Sequence, residues 1–267
     1  MRMDTDDLLL ATPTHQRAYD LVHDLLHRDK RVLALTITGS AARNEGSFDS
    51  DLDFDVFFRE GAPEAEILGA VEEALNREIY AQQGQEVGRF FAIDLHAANS
   101  IIIPQERGWT DGPDSFELEV GNTFIYSRLL FEREGYFTQT KARYTPYYEE
   151  SLRQERLQLA LKFCHNNIEH IEPYVNRGLH FQAFKRLYDA TREFLQALFI
   201  AKKVYPIAYD KWVKKQLVEI LGLPDLYKQF VALYEVHALE SDELITKGQQ
   251  LRQYLATYVE YSSFSVS

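Results

Sequence analysis

The chain of 267 residues is poor in cysteine and in positive charge, and it has no long apolar run. Its one cysteine, Cys164, excludes an internal disulfide framework and favours a reducing compartment. No apolar stretch reaches the length of about 18 residues that a transmembrane helix needs. The first residues are acidic and carry no signal-peptide pattern. These absences predict a cytoplasmic protein with no membrane partner.

The shortage of positive charge also bears on the partners of the chain. Lys and Arg together number 29 against 41 for Asp and Glu, which leaves a net charge of -12. A large interface with a phosphate backbone needs clustered Lys and Arg, so no nucleic-acid partner is expected. The composition disfavours a polymerase or an RNA-tailing enzyme. An acidic surface instead suits a small cationic acceptor, such as an aminosugar, that long-range attraction draws in.

The periodicity of apolar residues changes character near Tyr144–Pro146. Before this point it predicts strands at Val32–Thr38, Asp51–Phe58, Phe90–Leu95, Ser100–Pro104 and Asn122–Phe131. After it, the spacing is helical almost to the end, with predicted helices near 148–173, 178–203, 208–221, 224–238 and 241–262. We therefore predict an α+β protein. A mixed β-sheet flanked by helices (1–145) precedes an all-α helical bundle (146–267).

The segment from Thr36 to Phe58 contains the strongest chemical signal. An apolar strand ends at Gly39-Ser40, a polar loop follows, and the next strand carries Asp51, Asp53 and Asp55 at alternating positions. Side chains two apart on a strand share a face, so the three aspartates are expected on one face, opposite the apolar residues between them. Carboxylates this close repel unless a cation lies between them. Mg²⁺ suits such a site, and a half-buried hairpin with an acidic solvent face is the alternative.

This pattern resembles the DNA polymerase beta-like nucleotidyltransferase superfamily, and within it the bacterial small-molecule, aminoglycoside-type enzymes. The matching residues are Gly39, Ser40, Arg43, Ser50, Asp51 and Asp53. The resemblance covers roughly the first 140 residues. A weaker resemblance to the helical domain of bacterial nucleotidyltransferases extends through Tyr205-x-Pro and Lys211-Trp212.

The resemblance implies a carboxylate site that binds two Mg²⁺ ions. Asp51 and Asp53 would be metal ligands, and a third carboxylate is expected from a neighbouring strand of the sheet. Asp94, near the end of the predicted strand Phe90–Leu95, is the candidate for this third ligand. The implied catalytic and metal-binding set is therefore Asp51, Asp53 and Asp94. Two metal ions can stabilise both the entering and the leaving oxygen of an in-line transfer.

The resemblance also implies a binding site for a nucleoside triphosphate, with ATP the expected one. Gly39 lets the backbone approach the phosphates, and the Ser40 hydroxyl and loop N–H groups can bind phosphate oxygens. Arg43 either binds phosphate or pairs with a carboxylate such as Asp55. Ser50 either contacts phosphate or orients its neighbour through a hydrogen bond.

Several roles stay open from the residues alone. The general base is Asp94 or a glutamate at the start of the helical half, Glu149 or Glu150. Asp55 departs from the family pattern, and we place it outside the catalytic set. A basic residue of the helical half is expected to reach the phosphates, with Lys185, Lys203 and Lys211 as candidates.

The predicted activity is Mg²⁺-dependent transfer of a nucleoside monophosphate, AMP from ATP, to a hydroxyl of a small molecule with release of pyrophosphate. An aminoglycoside-like antibiotic is one candidate acceptor, and antibiotic resistance is the corresponding role. The alternative is a protein-modifying or antitoxin-like enzyme that transfers AMP to a protein partner. A catalytically silent protein is disfavoured because the aspartate pair is intact. The resemblance allows a homodimer, which no residue demonstrates.

Overall fold

The computed structural model describes residues 8–81 and 86–260. Within this part, the chain forms two compact units. The first comprises the described residues up to Ile102 together with Glu119–Pro146, and the second comprises Ile103–Leu118 together with the described residues from Tyr147 onward. No helix among the described residues is both long and apolar enough to cross a bilayer. The division into a catalytic domain (1–145) and a helical domain (146–267) stays a prediction.

The first unit contains a mixed four-stranded sheet with the strand order β3-β2-β1-β4. The strands are β1 (Val32–Ile37), β2 (Leu52–Phe58), β3 (Ile93–Ala97) and β4 (Arg128–Glu132). β1 pairs antiparallel with β2 and with β4, whereas β2 and β3 are parallel. Every residue of β1 is buried, as expected for a central strand covered on both faces. This sheet and the helical second unit confirm the predicted α+β class.

The sheet is flanked by helices whose apolar faces complete its core. They are α1 (Pro13–Arg28), α2 (Gly39–Ala42), α3 (Glu64–Leu75) and α5 (Tyr136–Lys141), whereas α4 (Phe116–Val120) begins in the second unit and ends in the first. π-helical turns extend α3 and α4, at Asn76–Tyr80 and Gly121–Ile125. Buried side chains four residues apart on α1, at Ala18, Val22 and Leu26, join the strands in one apolar cluster.

The second unit is helical. Its helices are α6 (Glu150–Glu169), α7 (Ile171–Asn176), α8 (His180–Lys202), α9 (Pro224–Leu233) and α10 (Glu243–Leu255). π-helical turns occupy Lys215–Ile220 and Ala256–Glu260. The last part of α8 is buried all round, from Glu193 to Ile200, so this helix runs through the core of the unit.

A buried ionic network lies inside the second unit. The guanidinium of Arg156 donates to Asp114 and to Glu117, each at 2.6 Å from Nη2. Glu117 also accepts from the hydroxyl of Tyr148 at 2.8 Å and from the amide of Gln196 at 3.0 Å. Burying charged side chains is costly unless each is paired and hydrogen-bonded, as these are. Asp114 and Glu117 belong to the segment Ile103–Leu118, which explains why that segment joins the second unit.

A second pair of contacts secures the same segment. Arg107 Nη2 donates to Glu193 on α8 at 2.7 Å, and its guanidinium carbon lies 3.8 Å from the centre of the Phe163 ring on α6. Trp109 packs on Phe163 with ring centres 4.8 Å apart. The segment is therefore clamped to α6 and α8 by charge and by aromatic packing together.

Two predicted strands differ from the structure. The predicted strand Ser100–Pro104 is wrong, because these residues form no strand, and Ile101 and Ile103 are exposed. The predicted strand Asn122–Phe131 is wrong in its first half, because β4 begins only at Arg128. Val120 and Phe124 are both fully buried four residues apart, the spacing of one helical face. That burial favours a helical turn where β-forming residues suggested a strand.

Candidate active site

Asp53 and Asp94 lie side by side on the sheet. In the parallel pairing of β2 with β3, the Cα atoms of these two residues are partners. Burial raises the pKa of the Asp53 carboxyl, and the charges of Asp94 and then Asp51 raise it further. The structure thus brings together the three carboxylates that the sequence pattern indicates.

A backbone hydrogen bond fixes Asp51 at the start of β2. Its Oδ1 accepts the N–H of Ala92 at 3.0 Å, and the carbonyl of Ala92 accepts the N–H of Leu52, also at 3.0 Å. The segment that leads into β3 is therefore tied to the segment that leads into β2. This tie sets the register that places Asp94 beside Asp53.

Gly39 packs directly against the carboxylate of Asp53. Its φ of +64° lies in the left-handed region, which a side chain disfavours. A Cβ at this position would meet Asp53 Oδ2 at 2.2 Å, well inside contact distance. Both the backbone angle and the close approach require glycine here. An open path to the carboxylate is thus kept by the absence of a side chain.

The turn around Ser40 continues this arrangement. The N–H of Thr38, just before α2, donates to the carbonyl of Asp53 at 2.8 Å. The carbonyl of Ser40 accepts the N–H groups of Arg43 at 3.2 Å and Glu45 at 2.9 Å. Gly39 and Ser40 are both partly exposed. The Gly-Ser pair is therefore held beside the carboxylates by the hydrogen bonds of its own backbone.

Arg43 forms an ion pair, but its partner differs from the one suggested. Its Nε donates to Glu45 Oε2 at 2.7 Å, and its side chain is nearly buried. Of the two roles predicted for Arg43, the structure shows pairing with a carboxylate, and that carboxylate belongs to Glu45, two residues along the same turn. The charge of Arg43 still lowers the pKa of Asp53, so it acts on the carboxylate group.

Ser50 braces the loop that precedes β2. Its hydroxyl oxygen accepts the N–H of Ser47 at 2.8 Å. Its carbonyl accepts Nε2 of His15, on α1, at 2.9 Å. These bonds anchor the entry to β2 on the flanking helix. Both roles predicted for Ser50 stay predictions.

Asp55 is buried and does not lie on an open acidic face. It is 9% exposed, and it is paired in register with Thr36 of β1 and His96 of β3. Burial raises its pKa, and a hydrogen bond with Thr123 opposes that rise. The expectation that all three aspartates of the strand share one open face is corrected. The π-helical turn Gly121–Ile125, which carries Thr123, covers this part of the sheet.

Two further side chains influence the carboxylates. Tyr80 Oη accepts the N–H of Ile93 at 2.8 Å, and the pKa of Tyr80 is raised by burial and then by the charges of Asp94 and Asp51. The charge of His96 lowers the pKa of Asp53. The face of β3 that His96 shares with Asp94 was visible in the alternation of the strand. Nothing in the sequence pointed to Tyr80, because it comes from the π-helical turn after α3.

The fit of this group to a metal ion depends on how many ligands the protein must supply. Among the residues that the structure describes, no set of three or more His, Cys, Asp or Glu side chains is arranged to hold a metal ion by itself. Mg²⁺, however, is commonly held by one or two carboxylates together with substrate phosphates and waters. The Asp53–Asp94 pair, two oxygen-donor side chains with mutual repulsion, fits that mode.

The alternative bases lie in the second unit and are engaged there. Glu150 accepts from Arg153 and Gln154, each at 2.8 Å, and pairs with Lys203 at 3.0 Å. The bond from Arg153, followed by those from Gln154 and Lys203, holds the pKa of Glu150 well below its usual range. Glu149 accepts the hydroxyl of Ser151 at 2.7 Å. Because its pKa is lowered, the carboxylate of Glu150 is a weak proton acceptor.

The comparisons with known proteins add a likeness of shape. The chain aligns with the crystal structure of a nucleotidyltransferase-like protein from Exiguobacterium sibiricum at 16% identity and a TM-score of 0.44. The alignment covers 94% of this chain and 79% of that chain. No protein-family model and no curated protein matches the sequence. A likeness at this level does not assign an activity, so the functional argument rests on the site itself.

Proposed function

We propose that the chain is a nucleotidyltransferase that moves a nucleoside monophosphate from a nucleoside triphosphate to a hydroxyl group. The observation that supports this most is the lateral pair Asp53–Asp94, with the charge of Asp51 acting on it and Gly39 packed against it. Carboxylates brought together without a compensating cation destabilise a fold, so their retention points to a ligand that offsets the repulsion.

In this proposal, Asp53 and Asp94, with Asp51 beside them, hold Mg²⁺. When bound, the ion neutralises phosphoryl oxygens and stabilises the leaving pyrophosphate. The N–H of Ala92 already orients the carboxylate of Asp51, so this side chain loses little conformational freedom when it binds the ion. The rigid sheet under all three residues supplies the preorganisation that phosphoryl transfer chemistry demands.

The remaining residues position the triphosphate and take the proton. In this proposal the bare Cα of Gly39 admits a phosphate close to Asp53, and the Ser40 hydroxyl bonds its oxygens. Asp94 is the exposed member of the acidic group, and we assign it the proton of the attacking hydroxyl. Arg43 contributes positive charge near the group through its place beside Glu45.

The proposed acceptor is a small molecule. ATP is the proposed donor, as the resemblance implies. The net charge of -12 favours a cationic acceptor by long-range attraction, and an aminoglycoside-like compound has both the amines and the hydroxyls required.

The test is a matched pair of variants assayed for pyrophosphate release. Asp53→Asn with Asp94→Asn is expected to lower turnover about 1,000-fold or more, because the proton acceptor and the charge that binds the metal are both lost. Asp24→Asn on α1 removes an exposed carboxylate whose weak contact with Arg28 spans 3.7 Å. That control is expected to keep full activity. Equal activity in both variants would refute the assignment.

Binding of a non-hydrolysable ATP analogue tests the same site without an acceptor. Calorimetric titration is expected to show binding that needs Mg²⁺ and that the double variant loses. At a free ligand concentration of about ten times Kd, binding is expected to raise the free energy of unfolding by about 1.4 kcal/mol. Mg²⁺-independent binding of the analogue, or equal binding to the double variant, would contradict the proposed ligand set.

A further inference from the structure

The second unit contains an aromatic cleft that the proposed transfer does not use. It encloses about 440 Å³, within the range of small-molecule sites. The rings of Tyr188, Trp212, Tyr227 and Tyr234 line it, together with Tyr209 and the carboxylate of Asp210. Trp212 is 42% exposed, and Tyr188 and Tyr234 are 36% exposed. Several aromatic rings that are open to solvent are thus gathered in one cleft.

Trp212 is held in an unfavourable backbone conformation. Its φ of 57° lies in the left-handed region, which a bulky side chain disfavours. The fully buried Gln216 holds the loop in place. Its side chain accepts from Ile207 N at 2.7 Å and donates to the carbonyls of Ala208 at 2.7 Å and Lys211 at 3.0 Å. The loop is therefore built to present this ring.

The opposite wall is fixed as well. Tyr188 and Tyr234 meet edge to face with ring centres 6.4 Å apart, and Phe230 packs on Tyr234 at 5.7 Å. The hydroxyl of Tyr234 is hydrogen-bonded to Thr191 of α8. A cleft with both walls fixed before binding loses little entropy when a ligand enters.

The chemistry of the walls selects the ligand. The faces of Trp and Tyr rings carry negative electrostatic potential and attract cations, including alkylated ammonium groups. The guanidinium of Arg192 already lies 5.8 Å from the centre of the Tyr188 ring, so that ring accepts a cation here. Asp210 adds a carboxylate, and the net charge of -12 draws cations to the chain. Lys214 also lines the cleft, on a long exposed side chain that can turn into solvent.

We propose that this cleft binds the alkylated ammonium group of a small organic cation. The site lies within the second unit alone and is independent of the proposed transfer reaction.

Choline is the probe, and its neutral carbon analogue, in which a tert-butyl group replaces the trimethylammonium group, is the control ligand. The chain has two tryptophans, so Trp109→Phe leaves Trp212 as the sole tryptophan for a fluorescence titration. Choline is expected to bind about tenfold more tightly than the neutral analogue. Equal affinity of the two compounds would overturn the proposal, and so would no binding of choline to a chain whose circular dichroism is native.

Matched substitutions in the Trp109→Phe background locate the binding. Asp210→Asn and Tyr188→Leu are each expected to weaken choline binding about threefold to tenfold. Glu240→Gln and Phe181→Leu change an exposed acid and an exposed ring outside the cleft and are expected to leave binding unchanged. Equal loss in the cleft variants and the controls would overturn the location. The Asp53→Asn, Asp94→Asn variant is expected to bind choline normally, so the two proposals fail separately.

Discussion

The two units treat their carboxylates in opposite ways. In the second unit, Glu117 is completely buried, yet Arg156, Tyr148 and Gln196 all donate to it. In the first unit, Asp53 is half-buried beside Asp94, and the two charges that act on it most strongly, those of Asp94 and Asp51, are of its own sign. Burial alone therefore does not separate the two groups of acids. The charges and donors that surround each group do.

This difference separates structure from function. A compensated buried acid holds a fold together, and its removal leaves a partner charge stranded. An uncompensated group of acids costs stability at neutral pH, and a protein keeps it for a ligand that completes it. By this criterion the network around Glu117 clamps the segment Ile103–Leu118. The carboxylates at β2 and β3 are instead the group on which the proposed metal and triphosphate site depends.

The largest effect on stability is expected in the compensated group. Arg156→Met should lower the free energy of unfolding by about 3–5 kcal/mol, because Glu117 and Asp114 stay buried without their cation. Arg252→Met is the matched control, since Arg252 is half-exposed and lies 3.9 Å from Glu169. That change should alter stability by no more than about 0.5 kcal/mol. Denaturant unfolding measures both, and similar losses would remove the distinction drawn for this unit.

A smaller loss is expected where Gly39 meets the carboxylates. Gly39→Ala should cost about 2 kcal/mol or more, because a Cβ would combine a left-handed backbone with a clash against Asp53. Gly69→Ala on α3 is the control, because nothing lies within 4 Å of a Cβ built there. Helix propensity predicts a gain of about 0.5–1 kcal/mol for that control. Thermal unfolding at one pH resolves the opposite signs, and a neutral Gly39→Ala would show that the close approach relaxes without cost.

The smallest expected effect is the change in stability caused by Asp53→Asn, and its sign is the informative result. The folded-state pKa of Asp53 lies above its usual value, so its ionised form destabilises the fold at neutral pH. Asp53→Asn should therefore raise the free energy of unfolding at pH 7, by at most about 1 kcal/mol after solvent screening. The advantage should fade as the pH falls through the folded pKa and vanish below the usual aspartate value. Denaturant unfolding across this pH range measures it.

Asp29 provides a control of opposite sign. Its hydrogen bond with Arg31, the leading cause, lowers its pKa. Asp29→Asn should accordingly lose a little stability at pH 7, and the loss should disappear in acid as the wild-type carboxylate is protonated. A loss of stability in Asp53→Asn at neutral pH would mean that Asp53 is compensated, and the contrast between the two units would fail.

The parts of the fold that local patterns govern could be predicted. An apolar run indicated β1, alternation of aspartates with apolar residues indicated β2, and helical spacing indicated α6, α8 and α10. The alternation of aspartates with apolar residues placed Asp51 and Asp53 on one face. A strand at Phe90–Leu95 with Asp94 near its end was also predicted; β3 lies at Ile93–Ala97, and its register on β2 puts Asp94 beside Asp53.

The errors occur where a distant part of the chain decides the local structure. Asp55 was expected on the open face, and it is covered by the turn that carries Thr123, far along the chain. The predicted helix 208–221 is helical only from Val213, because Gln216 uses its side chain to hold Ile207 and Lys211 in a loop. In both places hydrogen bonds formed after folding outweigh local propensity.

Side-chain periodicity and residue type were enough to determine the α+β class, the helical second half and the acidic strand, because each depends on neighbours within a few positions. Tertiary structure alone decided that Gly39 packs against Asp53, that Tyr80 bonds the backbone of β3 at Ile93, that Asp55 is covered, and that residues 103–118 pack with the second unit. Those outcomes depend on burial and charge pairing between distant residues. These interactions contribute to the free energy of folding only after residues far apart in the sequence have come into contact.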